Sequence, residues 1–126
     1  MNIPSFTPEQ QKENLKLGIK ALRANPRKAR YKMEDSYGGR CCLKVLSDTA
    51  EDICGLEMNT LVKNDMHPSP LLSEIYGLPN YIAEDEGFFD FLLGKDNIAA
   101  SSHNDGASTS EKTHKEIADM IEEQYL

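Results

Sequence analysis

The chain has 126 residues, 39% of them hydrophobic and 7% aromatic, with no Trp, which is enough for one core and too little for two comfortable domains. No apolar run approaches the roughly 18 residues of a membrane span, and a net charge of −7 opposes nonspecific nucleic-acid binding, which depends on summed phosphate neutralisation. Met1–Phe6 lacks the basic-then-apolar layout of a secretory signal. A cytoplasmic single domain, in the host cytoplasm if the protein is viral, is therefore expected over residues 1–126, with no membrane partner.

In chain order, the first predicted helix spans 7–24. Thr7 is an N-cap, Pro8 suits the first helical position and Gln10 completes a capping box, while Asn25-Pro26 stops the segment. Leu15, Ile19 and Leu22 form its apolar stripe. Residues 26–37 are polar and basic, and Ser36-Tyr37-Gly38-Gly39 reads as a turn. From Cys41, the positions Cys42, Val45, Leu46, Thr49 and Ile53 recur at helical spacing, so 41–54 reads as a helix closed by Gly55, with a buried strand as the competing reading. A short strand is expected over Leu56–Val62, followed by a Lys63-Asn64-Asp65 turn. His67, before proline, is read as a loop histidine, and a small helix over 69–76 ends at Gly77. Phe88, Phe89, Phe91, Leu92 and Leu93, the turn Gly94–Asn97 and Ile98-Ala99-Ala100 suggest an antiparallel ribbon near 88–101. Those aromatics either complete the core or leave a docking patch. Ala100–Ser110 reads as an exposed loop, and a last helix over 113–125 starts at the Thr113/Glu116 capping box, with Ser108/Glu111 as a second possible start. The fold class is α+β, a mainly helical single domain with a small antiparallel β ribbon.

Two separated segments carry a resemblance. Gly39-Arg40-Cys41-Cys42-Leu43-Lys44-Val45-Leu46-Ser47-Asp48 and His103-Asn104-Asp105-Gly106, the latter followed by Lys115-Glu116-Ile117-Ala118-Asp119-Met120-Ile121-Glu122-Glu123, resemble small uncharacterised bacteriophage and bacterial proteins. Those proteins carry a Cys-Cys-Leu-Gly-Val-type segment and an Asn-Asp-x-Gly turn before a C-terminal Ile-Ala-x-x-Ile-Glu helix. About half the chain carries the likeness. Lys44 stands where that pattern has Gly, His114 where it has Phe, and 107–112 reads as an insertion. The resemblance implies an architecture and a viral setting, with no established activity attached.

Charge is segregated along the chain. Residues 1–44 hold ten Lys or Arg against four acids, and residues 45–126 hold four against seventeen. Such halves either pair internally or present opposite faces to different partners. Arg27, Lys28, Arg30, Tyr31 and Lys32 form the candidate partner-binding cluster. An aromatic among cations also suits phosphate contact and base stacking, although the acidic background makes nucleic acid the lesser partner.

Chemistry-bearing residues are sparse. Three cysteines, two adjacent, form no even disulfide framework and lack paired Cys-x-x-Cys spacing for zinc, so reduced thiols and no metal are expected. The carboxylates Glu84, Asp85, Glu86, Asp90 and Asp96 lack EF-hand spacing and read as a solvated face. A Cys-His hydrolase would need Cys41 or Cys42 beside His103, oriented by Asn104 or Asp105. The plainer reading makes Cys42 a core residue and Asn104-Asp105-Gly106 a turn whose side chains bond local amides. A nucleotide-like ligand is the alternative use of Cys41, Asp48, His103, Asn104, Asp105 and Gly106, without any glycine-rich phosphate loop in support. The expectation is thus a nonenzymatic, cofactor-free phage protein that binds and modulates or inhibits a host macromolecule, with a host protein as the expected partner.

Overall fold

A computed structural model describes residues 5–56, 61–64, 67–82 and 88–126. The element order is α1 (Pro8–Ala24), α2 (Cys42–Cys54), β1 (Val62–Asn64), β2 (His67–Pro68), α3 (Leu72–Tyr76), β3 (Leu92–Leu93), β4 (Ile98–Ala99), α4 (Ala100–Asp105) and α5 (His114–Tyr125). It is a mainly helical α+β arrangement. Two small antiparallel ribbons, β1-β2 and β3-β4, complete it among the described residues.

Local signals explain where the helices start and stop. Thr7 accepts from the Gln10 amide while the Gln10 side chain accepts from the Thr7 amide, and Thr113 with Glu116 repeats that reciprocal cap on α5. The Thr113 start therefore displaces the one at Ser108. Gly55 and Gly77 close α2 and α3 in the left-handed conformation, at φ 70° in each case, where a Cβ would be strained.

Helix α2 is the centre of the molecule, packed against α1, α3 and α4. Every residue from Cys41 to Ser47 is buried, as expected of a helix surrounded by neighbours rather than lying on a surface. The strand alternative for this segment is thereby excluded. Lys44 is tolerated there because its ammonium meets Asp48 Oδ1 at 2.8 Å, one turn on. Close approach of α1 depends on Gly18, where an added Cβ would lie 2.8 Å from Leu46 Cδ2 and 3.3 Å from the Tyr76 ring. Tyr76 cannot easily yield, since its hydroxyl donates to Leu46 O at 2.6 Å. Gly18→Ala should consequently destabilise by about 1–3 kcal/mol, even though Ala favours helix, and a higher melting temperature would show that the helices separate freely.

Several sequence expectations are corrected. The middle helix begins at Leu72 rather than residue 69, because Ser69 and Pro70 form the turn before it. Of the strand expected over 56–62, residues 57–60 lie outside the described residues; a strand, β1, occupies Val62–Asn64, so Lys63 and Asn64 belong to it rather than to a turn. His67 sits in β2, not a loop, with its backbone paired to Asn64. Residues 57–60, 65 and 66 lie outside the described residues, as do 1–4 and 83–87, which include Glu84, Asp85 and Glu86. In the 88–101 ribbon, pairing is confined to Leu92↔Ala99 and Leu93↔Ile98. Phe89 and Phe91 are fully buried, which places these rings in the core rather than on a docking patch. Ala100–Ser110 is not one exposed loop: its first six residues form α4, with Ala100, His103 and Asn104 buried. No helix among the described residues is long and apolar enough to cross a membrane.

Candidate functional site

The structure brings the basic segment, the N-terminus of α2 and the end of α4 together around one cavity. Its volume is about 170 Å³, and its lining includes Tyr31, Met33, Cys41, Cys42 and Asp105. Thus Cys41, Asn104 and Asp105 of the predicted ligand set do gather. Asp48 lies elsewhere, held by Arg40 at 2.6 Å and Lys44 at 2.8 Å. Gly106 serves as the left-handed cap of α4, at φ 78°.

Asn104 is the fastening point. Its Oδ1 accepts from the Cys42 amide at 3.0 Å, while its Nδ2 donates to Ala29 O at 2.8 Å and to Asp105 Oδ1 at 2.8 Å. One fully buried amide therefore ties α2, the basic segment and α4 together. This corrects the expectation of purely local turn bonds: Asp105 Oδ1 also accepts from the Tyr31 amide at 2.9 Å. Nothing in the local sequence signals a contact spanning 62 residues.

The basic cluster divides into anchors and presented groups. The Lys28 ammonium donates to Asn104 O and pairs with Glu111, with its side chain only 10% exposed. Arg30 donates to Asp105 O at 3.0 Å and lies 3.3 Å from Glu111. These cations hold Glu111 below the usual carboxylate range, chiefly through its hydrogen bond from Lys28. Arg27 donates to Tyr37 O at 3.2 Å. Lys32 is exposed, and so are Tyr31, at 58%, and Tyr37, at 82%.

The loop that carries these rings is ordered by its own bonds. Asp35 Oδ1 accepts from the amides of Tyr37 and Gly39 at 2.9 and 2.8 Å, and Cys41 N donates to Met33 O at 2.8 Å. Tyr31 has φ 61°, an uncommon left-handed conformation for a large residue. The Asp105 carboxylate fixes it there, and the Arg30 guanidinium lies 5.6 Å from its ring centroid.

The thiols are placed unfavourably for nucleophilic work. Burial pushes the Cys41 thiol up to about 11, despite opposing hydrogen bonds from the Lys44 and Leu43 amides. Burial, followed by the neighbouring Cys41, drives Cys42 well above its ordinary value. His103 supplies no base to either. Its Nε2 meets Leu93 O at 3.1 Å, and its buried Nδ1 has no hydrogen-bond partner among the described residues. A reactive thiol needs thiolate character and access, and the predicted Cys-His pair is not assembled in this geometry. Cys42 Sγ instead faces Ala100 O at 3.7 Å. Cys42→Ser should destabilise by about 1–3 kcal/mol by burying a hydroxyl without an assured partner. Cys41→Ser should cost less, because Cys41 is the N-cap of α2 and serine caps well. Melting both variants checks the order.

Asp90, taken from the sequence as part of a solvated carboxylate face, is instead buried and satisfied. It accepts from the Phe91 amide at 2.9 Å and from the Ser101 hydroxyl, while burial raises its pKa against those bonds. His114 is likewise buried: its Nδ1 meets Asn25 O, and desolvation lowers its pKa. Among the described residues, no group of three or more His, Cys, Asp or Glu side chains gathers around a metal-sized space. Comparison with known proteins finds no matching family model, no matching curated protein and no matching solved structure.

Proposed function

We propose that this chain is a nonenzymatic phage protein that binds a host protein stoichiometrically through the loop bearing Tyr31, Lys32 and Tyr37. The observation that carries the reading is the pairing of exposed aromatic rings with a backbone already held by Asp35 and Asp105. Aromatic residues are enriched at interfaces and among their energetic anchors, and a pre-ordered loop loses less entropy on binding. The viral setting rests on the resemblance of Gly39–Asp48 and His103–Gly106 to small phage proteins. Of the candidate partner-binding residues, Lys28 and Arg30 serve as anchors, while Arg27, Tyr31 and Lys32 remain on the loop face.

The test compares affinity capture from bacterial lysate by wild type and by a Tyr37→Ala/Lys32→Glu variant of equal melting temperature. Near-stoichiometric recovery of one protein by wild type, lost in the variant, is expected. Equal recovery by both, or no near-stoichiometric protein, overturns the reading. Lys28→Glu supplies a contrasting prediction, since it places a carboxylate beside Asn104 O and Glu111. Its melting temperature should fall clearly, most at low ionic strength, whereas Lys32→Glu should leave it nearly unchanged.

Sequestration of a nucleotide-like ligand is a second reading, favoured by the cavity at Cys41 and Asp105. About 170 Å³ lies below the roughly 300–1,000 Å³ of small-molecule pockets, which ranks it second. A ligand at a hundredfold its dissociation constant would add about 2.7 kcal/mol of stability, so an unshifted melting temperature across a nucleotide panel removes this reading.

A further inference from the structure

We propose that His114 is an acid-sensitive latch for the loop bearing Tyr31, Lys32 and Tyr37: protonation of its ring frees both ends of that loop from the start of α5. The consequence for a partner rests on the binding reading above, whereas the release itself does not. Both ends of the loop converge on this one buried imidazole. Its Nδ1 donates to Asn25 O, where the chain leaves α1, and the Arg40 carbonyl faces the ring from the point where the chain enters α2. The same two residues are tied to each other across the loop's base, since Arg40 Nη2 donates to Asn25 Oδ1, and Arg40 N donates to Arg27 O at 3.4 Å. An imidazole that gives its one proton to Asn25 leaves Nε2 bare, and this buried nitrogen has no hydrogen-bond partner among the described residues.

A second proton meets an unfavourable site. The added N–H and its charge would be buried with the ring, which is costly without a partner. His114 is also the first residue of α5, where the helix dipole opposes a cation. The charged groups that bear on the ring from neighbouring elements are Lys28 and Arg40, both cationic. Nearby carboxylates are already engaged: Glu111 with Lys28, Asp48 with Arg40 and Lys44, and Glu116 with the Thr113 amide. From α1, Arg23 is turned to Asp119 and Glu122. Burial, the largest influence, therefore holds the His114 pKa below its ordinary value despite the Asn25 and Arg40 carbonyls, so the released ring binds the proton more readily than the latched one. The latch is fully effective above about pH 6.5, the ordinary histidine value, and weakens as the pH falls below it.

The experiment is amide hydrogen exchange of the full chain between pH 7.5 and 5.5, corrected for the intrinsic exchange rate, in wild type, His114→Asn and His114→Phe. Asparagine keeps a donor near the Nδ1 position and phenylalanine keeps the ring volume; neither titrates. In wild type, protection of the Tyr31, Asp35, Arg40 and Cys41 amides should fall by up to about tenfold per pH unit below 6.5, the limit for uptake of one proton, while Val45 and Leu46 within α2 stay protected. In both variants the loop amides should lose this pH dependence. Wild-type loop protection that does not change with pH overturns the proposal, as does an equal acid loss in α2 or the same acid loss in both variants. If His114→Asn does not fold, His114→Phe decides alone. Exchange is read without a partner, so failure to capture a host protein would sink the binding reading and leave the latch standing, and the reverse holds for a pH-independent loop that still captures one.

Discussion

Asn104→Asp should destabilise the protein by about 3–5 kcal/mol, the scale of an uncompensated buried charge. The substitution is nearly isosteric, so packing contributes little to the loss. Asn104 Nδ2 donates to Ala29 O and Asp105 Oδ1 at 2.8 Å each, and an aspartate would turn oxygen toward both acceptors. One of them is already a carboxylate. The side chain is fully buried, so water offers no relief. Against a typical total stability of about 5–15 kcal/mol, this corresponds to a melting-temperature loss on the order of 10 °C or more. Asn104→Ala, which leaves unpaired groups without adding charge, should fall between wild type and Asn104→Asp. A melting temperature for Asn104→Asp close to wild type would remove Asn104 as the fastening between α2, α4 and the basic segment.

The contrast between Asn104 and the helix ends shows which information is local. Thr7 with Gln10, Thr113 with Glu116, and the glycines at 55 and 77 act within a few residues of themselves, and the structure places helix ends at each. Helix α4 is different. Its sequence, Ala-Ser-Ser-His-Asn-Asp, offers no apolar stripe and several residues that favour caps and turns over helix interiors. Burial of Ala100, His103 and Asn104 against the rest of the molecule supplies what propensity lacks, and that packing is absent from the local pattern. Charge behaves the same way. The opposite signs of the two halves are plain in composition, but the choice of Glu111 for Lys28, at a separation of 83 residues, is made by the fold. Consequently the basic cluster could be located from sequence while its division into anchoring Lys28 and Arg30 and exposed Lys32 could not. Cys41 and Asn104 were identifiable as residues of interest; their meeting at one cavity depends on α4.

Phe91→Ala should cost about 3–5 kcal/mol, the range for removing a large aromatic from a packed core. The ring is fully buried and sits 5.7 Å from Phe89, stacked, and 6.1 Å from Tyr125, edge-on. Its backbone also matters locally: Phe91 O accepts from Ala100 N at 2.7 Å where β4 passes into α4. Collapse around the missing ring would therefore disturb the base of the helix that carries Asn104 and Asp105. Phe91→Leu retains much of the apolar volume and should lose less. Tyr37→Ala removes a comparable ring from a position 82% exposed and should change stability by no more than about 0.5 kcal/mol, as surface substitutions do. Denaturant unfolding of the three variants measures these differences directly. If Phe91→Ala were as stable as wild type while partner capture was lost, the aromatic cluster would be acting as a binding patch, and the division of labour between a buried Phe91 and a presented Tyr37 would be wrong.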